Sequence, residues 1–137
     1  MITAIDTNVL LDILLSDATF FASSSRALEQ AAAKGSLVIC DLVYAELCVP
    51  FRNQAECDEF LADSEIRVEP LSRAASFAAS RVWRAYRQQG GKRTRILADF
   101  LIGSHAEIQA SCLLSRDRGF YQSMFPSLQV LDPASLQ

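Results

Sequence analysis

Gly35-Ser36-Leu37-Val38-Ile39-Cys40-Asp41-Leu42 is the stretch on which the fold turns. Leu37 to Cys40 is an unbroken apolar run, too short for a helix and with no polar residue to face water. It therefore reads as a strand buried on both faces. The chain before it carries helix signals: Ser23, Ser24 or Ser25 can cap a helix that runs to Lys34 and stops at Gly35. After it, Asp41 stands where a helix N-cap belongs, opening Leu42 to Cys48, with Pro50 closing the segment. Helix, buried strand, helix is the repeating unit of a parallel sheet.

The same alternation extends in both directions. Met1 to Asp6 reads as a short buried strand and Asn8 to Leu15 as an apolar-rich helix. Asn53 and Glu56 have the spacing of a capping box ahead of a helix through Ala62, and Ile66 to Val68 is a third strand. A long helix runs from Ser72 to about Gln88 and ends at Gly90 and Gly91. A polar loop leads to a helix from about Asp99 to Ala110, then strands at Cys112 to Ser115 and Leu128 to Leu131. The prediction is an α/β fold: a three-layer α/β/α domain with a central parallel sheet of about five strands, spanning residues 1–137 as one domain. In such sheets ligands gather beyond the carboxyl ends of the strands.

Composition supports one folded domain. Half of the 137 residues are apolar, which excludes a disordered chain, and no internal period marks a repeat array. Cys40, Cys48, Cys57 and Cys112 form no C-x-x-C pair and the chain has one histidine, so no zinc ligand set is present. The cysteines read as small buried hydrophobes in a reducing compartment. The N-terminus lacks a secretory pattern, since Asp6 and Asp12 interrupt its apolar run, and no segment holds 18 uninterrupted apolar residues. A cytoplasmic protein without membrane contact is expected.

Four acidic residues fall at or near the ends of predicted strands. Asp6 ends the first in Asp6-Thr7-Asn8, and Asp117 follows the fourth in Ser115-Arg116-Asp117-Arg118. Glu46 lies early in the helix after the second strand, and Asp99 opens a helix whose neighbours are apolar. Taken singly, Asp6 or Asp117 is equally an Asx-turn residue, and Asp99 a first-turn charge facing the helix dipole. In a doubly wound sheet the four can converge, and such a cluster needs a cation to offset its repulsion. Oxygen ligands alone suit Mg²⁺ or Mn²⁺.

These residues resemble the PIN-domain ribonucleases, and specifically the VapC-type toxins of bacterial toxin–antitoxin pairs. The resemblance runs along most of the chain through Asp6-Thr7-Asn8, Tyr44-Ala45-Glu46-Leu47, Asp99-Phe100-Leu101-Ile102-Gly103 and Ser115-Arg116-Asp117-Arg118-Gly119-Phe120-Tyr121. It implies that Asp6, Glu46, Asp99 and Asp117 are the catalytic, metal-binding quartet. It implies too that Thr7, Asn8 and Ser115 place hydroxyl or amide groups around the metal; at Ser115 the family more often has threonine, and the hydroxyl is kept. The implied reaction is Mg²⁺- or Mn²⁺-dependent cleavage of RNA, leaving a 5′-phosphate and a 3′-hydroxyl. The implied partners are a small antitoxin whose C-terminal segment occupies the groove, a second copy in a homodimer, and DNA only through the antitoxin. The choice among tRNA, rRNA and mRNA is open.

The net charge of −3 and pI near 5.1 argue superficially against a nucleic-acid partner. The charge is unevenly spread. Between Leu71 and Ala98 lie seven of the 13 basic residues, Arg73, Arg81, Arg84, Arg87, Lys92, Arg93 and Arg95, and none of the 16 acidic ones. Arg93 and Arg95, in a glycine-led loop ahead of Asp99, are read as RNA contacts. Arg116 and Arg118 flank Asp117 and can bind phosphate or hold carboxylates. Trp83 and Tyr86 could stack on bases, but core packing of Phe77, Val82, Trp83 and Tyr86 is the favoured reading. Phe51, Phe60 and Leu61 fit either an interface or the core. His105 reads as structural. Two other readings compete: a catalytically idle PIN-like module that binds RNA or protein, and a phospho-receiver domain. The second needs a lysine at the site, and only Lys34 and Lys92 exist.

Overall fold

Five parallel strands form the centre of the molecule, in the order β3-β2-β1-β4-β5. This computed structural model describes residues 1–92 and 97–135. The strands are β1 (Ile2–Ile5), β2 (Ser36–Cys40), β3 (Ile66–Glu69), β4 (Cys112–Leu114) and β5 (Val130–Leu131). Around them lie α1 (Thr7–Leu14), α2 (Phe21–Lys34), α3 (Asp41–Cys48), α4 (Gln54–Asp63), α5 (Arg73–Gln88), α6 (Leu97–Gln109) and α7 (Arg118–Met124), with a 3₁₀ turn over Pro133–Ser135. This is the expected α/β architecture.

Burial explains why these runs are strands. Successive strand residues point to opposite faces, yet Leu37, Val38, Ile39 and Cys40 are all buried, so helices cover the sheet on both sides. Ala4 and Ile5 in β1 and Leu113 and Leu114 in β4 repeat the pattern, and β1 pairs with both inner neighbours, Ala4 opposite Val38 and Leu113. The edge strand β3 instead carries Arg67 and Glu69, whose charges guard an open edge. From β1 the chain steps to β2 and β3 on one side, then crosses to β4 on the other. The order therefore reverses between β1 and β4, and the carboxyl ends of those two strands flank the crevice where such sheets bind ligands.

Most helix starts follow the sequence signals. Ser72 accepts from the Ala75 amide at 3.0 Å and Asn53 from the Glu56 amide at 2.9 Å. Four details differ, the first being α7, a helix that no sequence signal marked. No serine caps α2: it begins at Phe21, and its approach is held by Asp17, whose Oδ1 accepts from the Thr19 and Phe20 amides. Asp41 is the first residue of α3 rather than its cap, and its carboxylate accepts from the Leu71 amide. Phe77 is not in the core but 64 % exposed, with the Arg81 guanidinium 4.8 Å from its ring centre. Val82, Trp83 and Tyr86 do pack on the core, as do Phe51 and Phe60, and Leu61 is buried within it. Trp83 and Tyr86 rest on Phe100 of α6 at 5.1 and 5.3 Å between ring centres. Gly103 of α6 lies against the Phe125 ring, where a β-carbon would overlap it.

His105 is buried on α6, with Nε2 at 3.0 Å from Glu69 Oε1. Burial lowers its pKa below the ordinary 6.5, and Glu69 opposes the shift. The unfolded chain takes up a proton near pH 6.5 that the folded histidine resists. Its stability contribution is thus present above 6.5 and is lost as pH falls through the folded value. Between about pH 7.5 and about pH 5.5, the urea midpoint of the native protein should fall further than that of His105→Gln. Equal falls would mean that the histidine titrates alike in both states.

Candidate active site

At the crevice between β1 and β4, Asp6 leaves the end of β1 with only 6 % of its surface exposed. Its backbone amide still pairs with the Leu114 carbonyl at 2.9 Å, so the sheet itself fixes where the carboxylate emerges. Oδ1 accepts from the Thr7 amide at 2.8 Å and thereby caps α1. Oδ2 accepts from Ser115 Oγ at 2.7 Å, just past β4, and from Asn8 Nδ2 at 3.4 Å. Ser115 Oγ in turn accepts from the Asp117 amide at 2.9 Å, while Asn8 Oδ1 accepts from the Arg116 amide at 3.3 Å. Asp6, Asn8, Ser115 and Asp117 are therefore tied into one network across the switch point.

The other acidic residues arrive from separate elements. Glu46, exposed on α3, accepts from Thr7 Oγ1 at 2.7 Å, which brings it beside Asp6. Asp99 is half-buried in the first turn of α6, and Asp117 is half-buried at the N-cap position of α7. Tyr121 connects them. Its buried side chain lies within electrostatic reach of Asp6, Asp99 and Asp117, and burial with these charges pushes its pKa far up. Tyr121 was not singled out from the sequence. It lies four residues after Asp117, one helical turn on, but a helix as short as α7 has no periodicity to reveal this.

The electrostatics favour a cation. Burial raises the Asp6 pKa, its hydrogen bonds to Ser115, Thr7 and Tyr121 oppose the shift, and the nearby Glu46 adds to it. The groups that meet Asp6 are a hydroxyl, amides, a phenol and a second carboxylate. Among the described residues no three His, Cys, Asp or Glu side chains stand together tightly enough to enclose a metal. Mg²⁺ needs no such cage, because it keeps much of its water and takes one or two carboxylates together with a phosphate. The carboxylate oxygens of Asp6 and of Glu46 beside it fit that habit.

The basic residues divide. Arg116 turns away from the site: Nε and Nη2 donate to Asp12 at 2.7 and 3.1 Å, and its guanidinium lies 3.9 Å from the centre of the Phe20 ring. Arg118 is exposed at the start of α7, and Arg81 and Arg84 are exposed on α5. Arg93 and Arg95 lie outside the described residues. Beside Thr7 and Glu46, an apolar groove of about 410 Å³ is lined further by Leu11, Leu15, Val49 and Pro50.

Comparison with known proteins gives the family and supports the fold. The PIN domain family model matches residues 3–124, and the chain belongs to that family. No curated protein matches the sequence significantly. Among solved structures, the fold resembles VapBC2 from Rickettsia felis bound to a promoter DNA fragment. The TM-score is 0.75 at 21 % identity, over 96 % of this chain and 98 % of that one. VapBC-1 from nontypeable Haemophilus influenzae gives a TM-score of 0.74 at 18 % identity, over 98 % and 100 %. VapC20 of Mycobacterium tuberculosis, a sarcin–ricin-loop-cleaving toxin, gives 0.57 at 12 % identity, over 81 % and 86 %. No helix among the described residues is long and apolar enough to cross a membrane.

Proposed function

We propose that this chain is a single-domain, divalent-metal-dependent endoribonuclease and the toxin of a VapBC-type pair. The observation that carries the reading is the buried Asp6 carboxylate at the strand switch point, met by Ser115 and Tyr121 and flanked by Glu46. Asp6, Asp99, Asp117 and Glu46 would hold Mg²⁺ or Mn²⁺. When bound, the cation supplies charge neutralisation at the scissile phosphate and lowers the pKa of water.

The chain's own residues do the positioning. Ser115 and the Thr7 amide fix the two Asp6 oxygens, and Asn8 links Asp6 to the Arg116 backbone. Thr7 orients Glu46 through its hydroxyl. No Ser-His-Asp or Cys-His arrangement is needed, since water is the nucleophile. Arg118, with Arg93 and Arg95, supplies cations for the RNA backbone, as do the exposed arginines of α5. The apolar groove beside Glu46 suits a segment of a small antitoxin, and structural relatives were solved as toxin–antitoxin complexes, some bound to DNA. A homodimer in the cytoplasm, meeting DNA only through its antitoxin, completes the reading.

The test is incubation of the purified protein with RNA in Mg²⁺, in Mn²⁺ and in excess EDTA. Cleavage to 5′-phosphate ends is expected with either metal and none with EDTA. Cleavage unaffected by EDTA would overturn metal dependence. RNA binding without cleavage in either metal would leave the idle module as the better reading.

A further inference from the structure

Two thiols nine positions apart in sequence meet where α3 turns into α4. The Cys48 thiol donates to Cys57 Sγ at 3.3 Å. Both are free, and they differ in access. Cys57 is sealed in the core, whereas Cys48 is half-buried and lines a surface pocket of about 370 Å³ with Tyr44, Phe51, Asn53 and Gln54. A water molecule's share of liquid volume is about 30 Å³, so the pocket has ample room for a small oxidant to reach the Cys48 sulfur. We propose that Cys48 and Cys57 are a redox-active dithiol that hydrogen peroxide closes into a disulfide joining α3 to α4.

The step balances without further reagents. The Cys48 sulfur attacks one peroxide oxygen, the O–O bond breaks, and the departing hydroxide leaves as water with the thiol proton. Cys48 is then a sulfenic acid. Cys57 Sγ, already in contact, attacks the Cys48 sulfur: the S–S bond forms, the S–O bond breaks, and the hydroxyl leaves as a second water with the Cys57 proton. Two thiols lose two electrons and peroxide gains them. Burial pushes the Cys57 thiol up to about 12, so it rests protonated, and its contact with the Cys48 sulfur rather than its acidity fits it to the second, resolving step. Contact between the sulfurs matters, because a sulfenic acid beside a thiol condenses before it is oxidised further. The sulfurs need approach by only about 1 Å to reach bonding distance.

The bridge would close a small ring over the loop between α3 and α4, and that loop includes Val49 and Pro50 of the groove beside Glu46. In a reducing compartment the dithiol is the resting form, and the disulfide appears under peroxide load.

The experiment treats the full chain with hydrogen peroxide and follows thiol titre, intact mass, peptide map and melting temperature. Accessible and total thiols in denaturant should fall from four to two. The mass should drop by about 2 Da, and a Cys48–Cys57 peptide should appear that dithiothreitol reverses. The oxidised form should melt about 5 °C higher. Cys48→Ser should keep all its remaining thiols, and Cys57→Ala should give a sulfenic acid that dimedone traps on Cys48. A gain of about 32 Da on Cys48 in the native sequence, a Cys48-linked dimer, or an unchanged thiol titre would each overturn the proposal. The native-sequence peptide map decides even if a variant fails to fold.

Discussion

Asp6→Asn is expected to lower RNA cleavage about a thousandfold, equivalent to ~4 kcal/mol of transition-state stabilisation, while leaving the fold intact. Asparagine caps a helix as well as aspartate, so the Thr7 amide keeps its acceptor. The amide nitrogen replaces Oδ2: Ser115 Oγ can turn from donor to acceptor to meet it, and only the long 3.4 Å contact from Asn8 Nδ2 is given up. The charge is what disappears. Because burial raises the folded pKa of Asp6, its contribution to stability is present below the ordinary 3.8 and is lost as pH rises through the folded value. At neutral pH in EDTA the variant should therefore melt no lower than the native protein. Mg²⁺ or Mn²⁺ should raise the melting temperature of the native protein and not that of the variant. Initial cleavage rates and melts with and without metal check both parts. An undiminished rate would remove Asp6 from the chemistry.

Arg116→Ala carries the largest expected loss of stability. Asp12 of α1 is only 4 % exposed and is held by the Arg116 guanidinium and by Ser24 Oγ at 2.7 Å. Removing the arginine leaves a buried carboxylate with one hydroxyl, and takes the guanidinium off Phe20. A loss of about 3 kcal/mol follows, towards the lower end of the range because the Arg116 side chain is 29 % exposed. The double variant Arg116→Met, Asp12→Leu should recover most of it, since two apolar groups can replace a buried pair. Urea denaturation measures both. If the folded double variant binds RNA more weakly and with a shallower salt dependence, Arg116 also serves the substrate.

Most of the fold was legible because its signals are local. Leu37 to Cys40 declares a doubly buried strand by composition alone, and Asn53 and Ser72 declare their helices by side-chain chemistry that the structure reproduces. What failed was whatever depends on a distant partner or a weak period. The start of α2 is set by Asp17 rather than by the serines, and Ser24 instead reaches Asp12 of α1. The helix α7 has seven residues and no stripe to recognise. Phe77 looks like a core aromatic in a list of residue types, yet it lies on the exposed side of α5 with Arg81 over it. At the site, the strand-end rule points to Asp6, whose amide the sheet holds through Leu114, and to Asp117, whose amide Ser115 Oγ holds just past β4. Arg116 stands next to Asp117 in sequence but faces Asp12, because adjacent residues after a strand diverge and only tertiary contact decides which way each turns.

Parallel pairing also governs when the site can exist. Asp6 leaves the ribosome well before its neighbour in the sheet, Leu114, and its hydroxyl donor, Ser115, which lie 108 and 109 positions downstream. Contacts of such long separation form late in folding. A nascent chain that has exposed β1, β2 and β3 holds Asp6 and Glu46 yet lacks β4, Ser115 and Asp117. Whatever chemistry the crevice performs is thus withheld from the partly synthesised polypeptide and switched on only once β4 and the residues just after it have emerged.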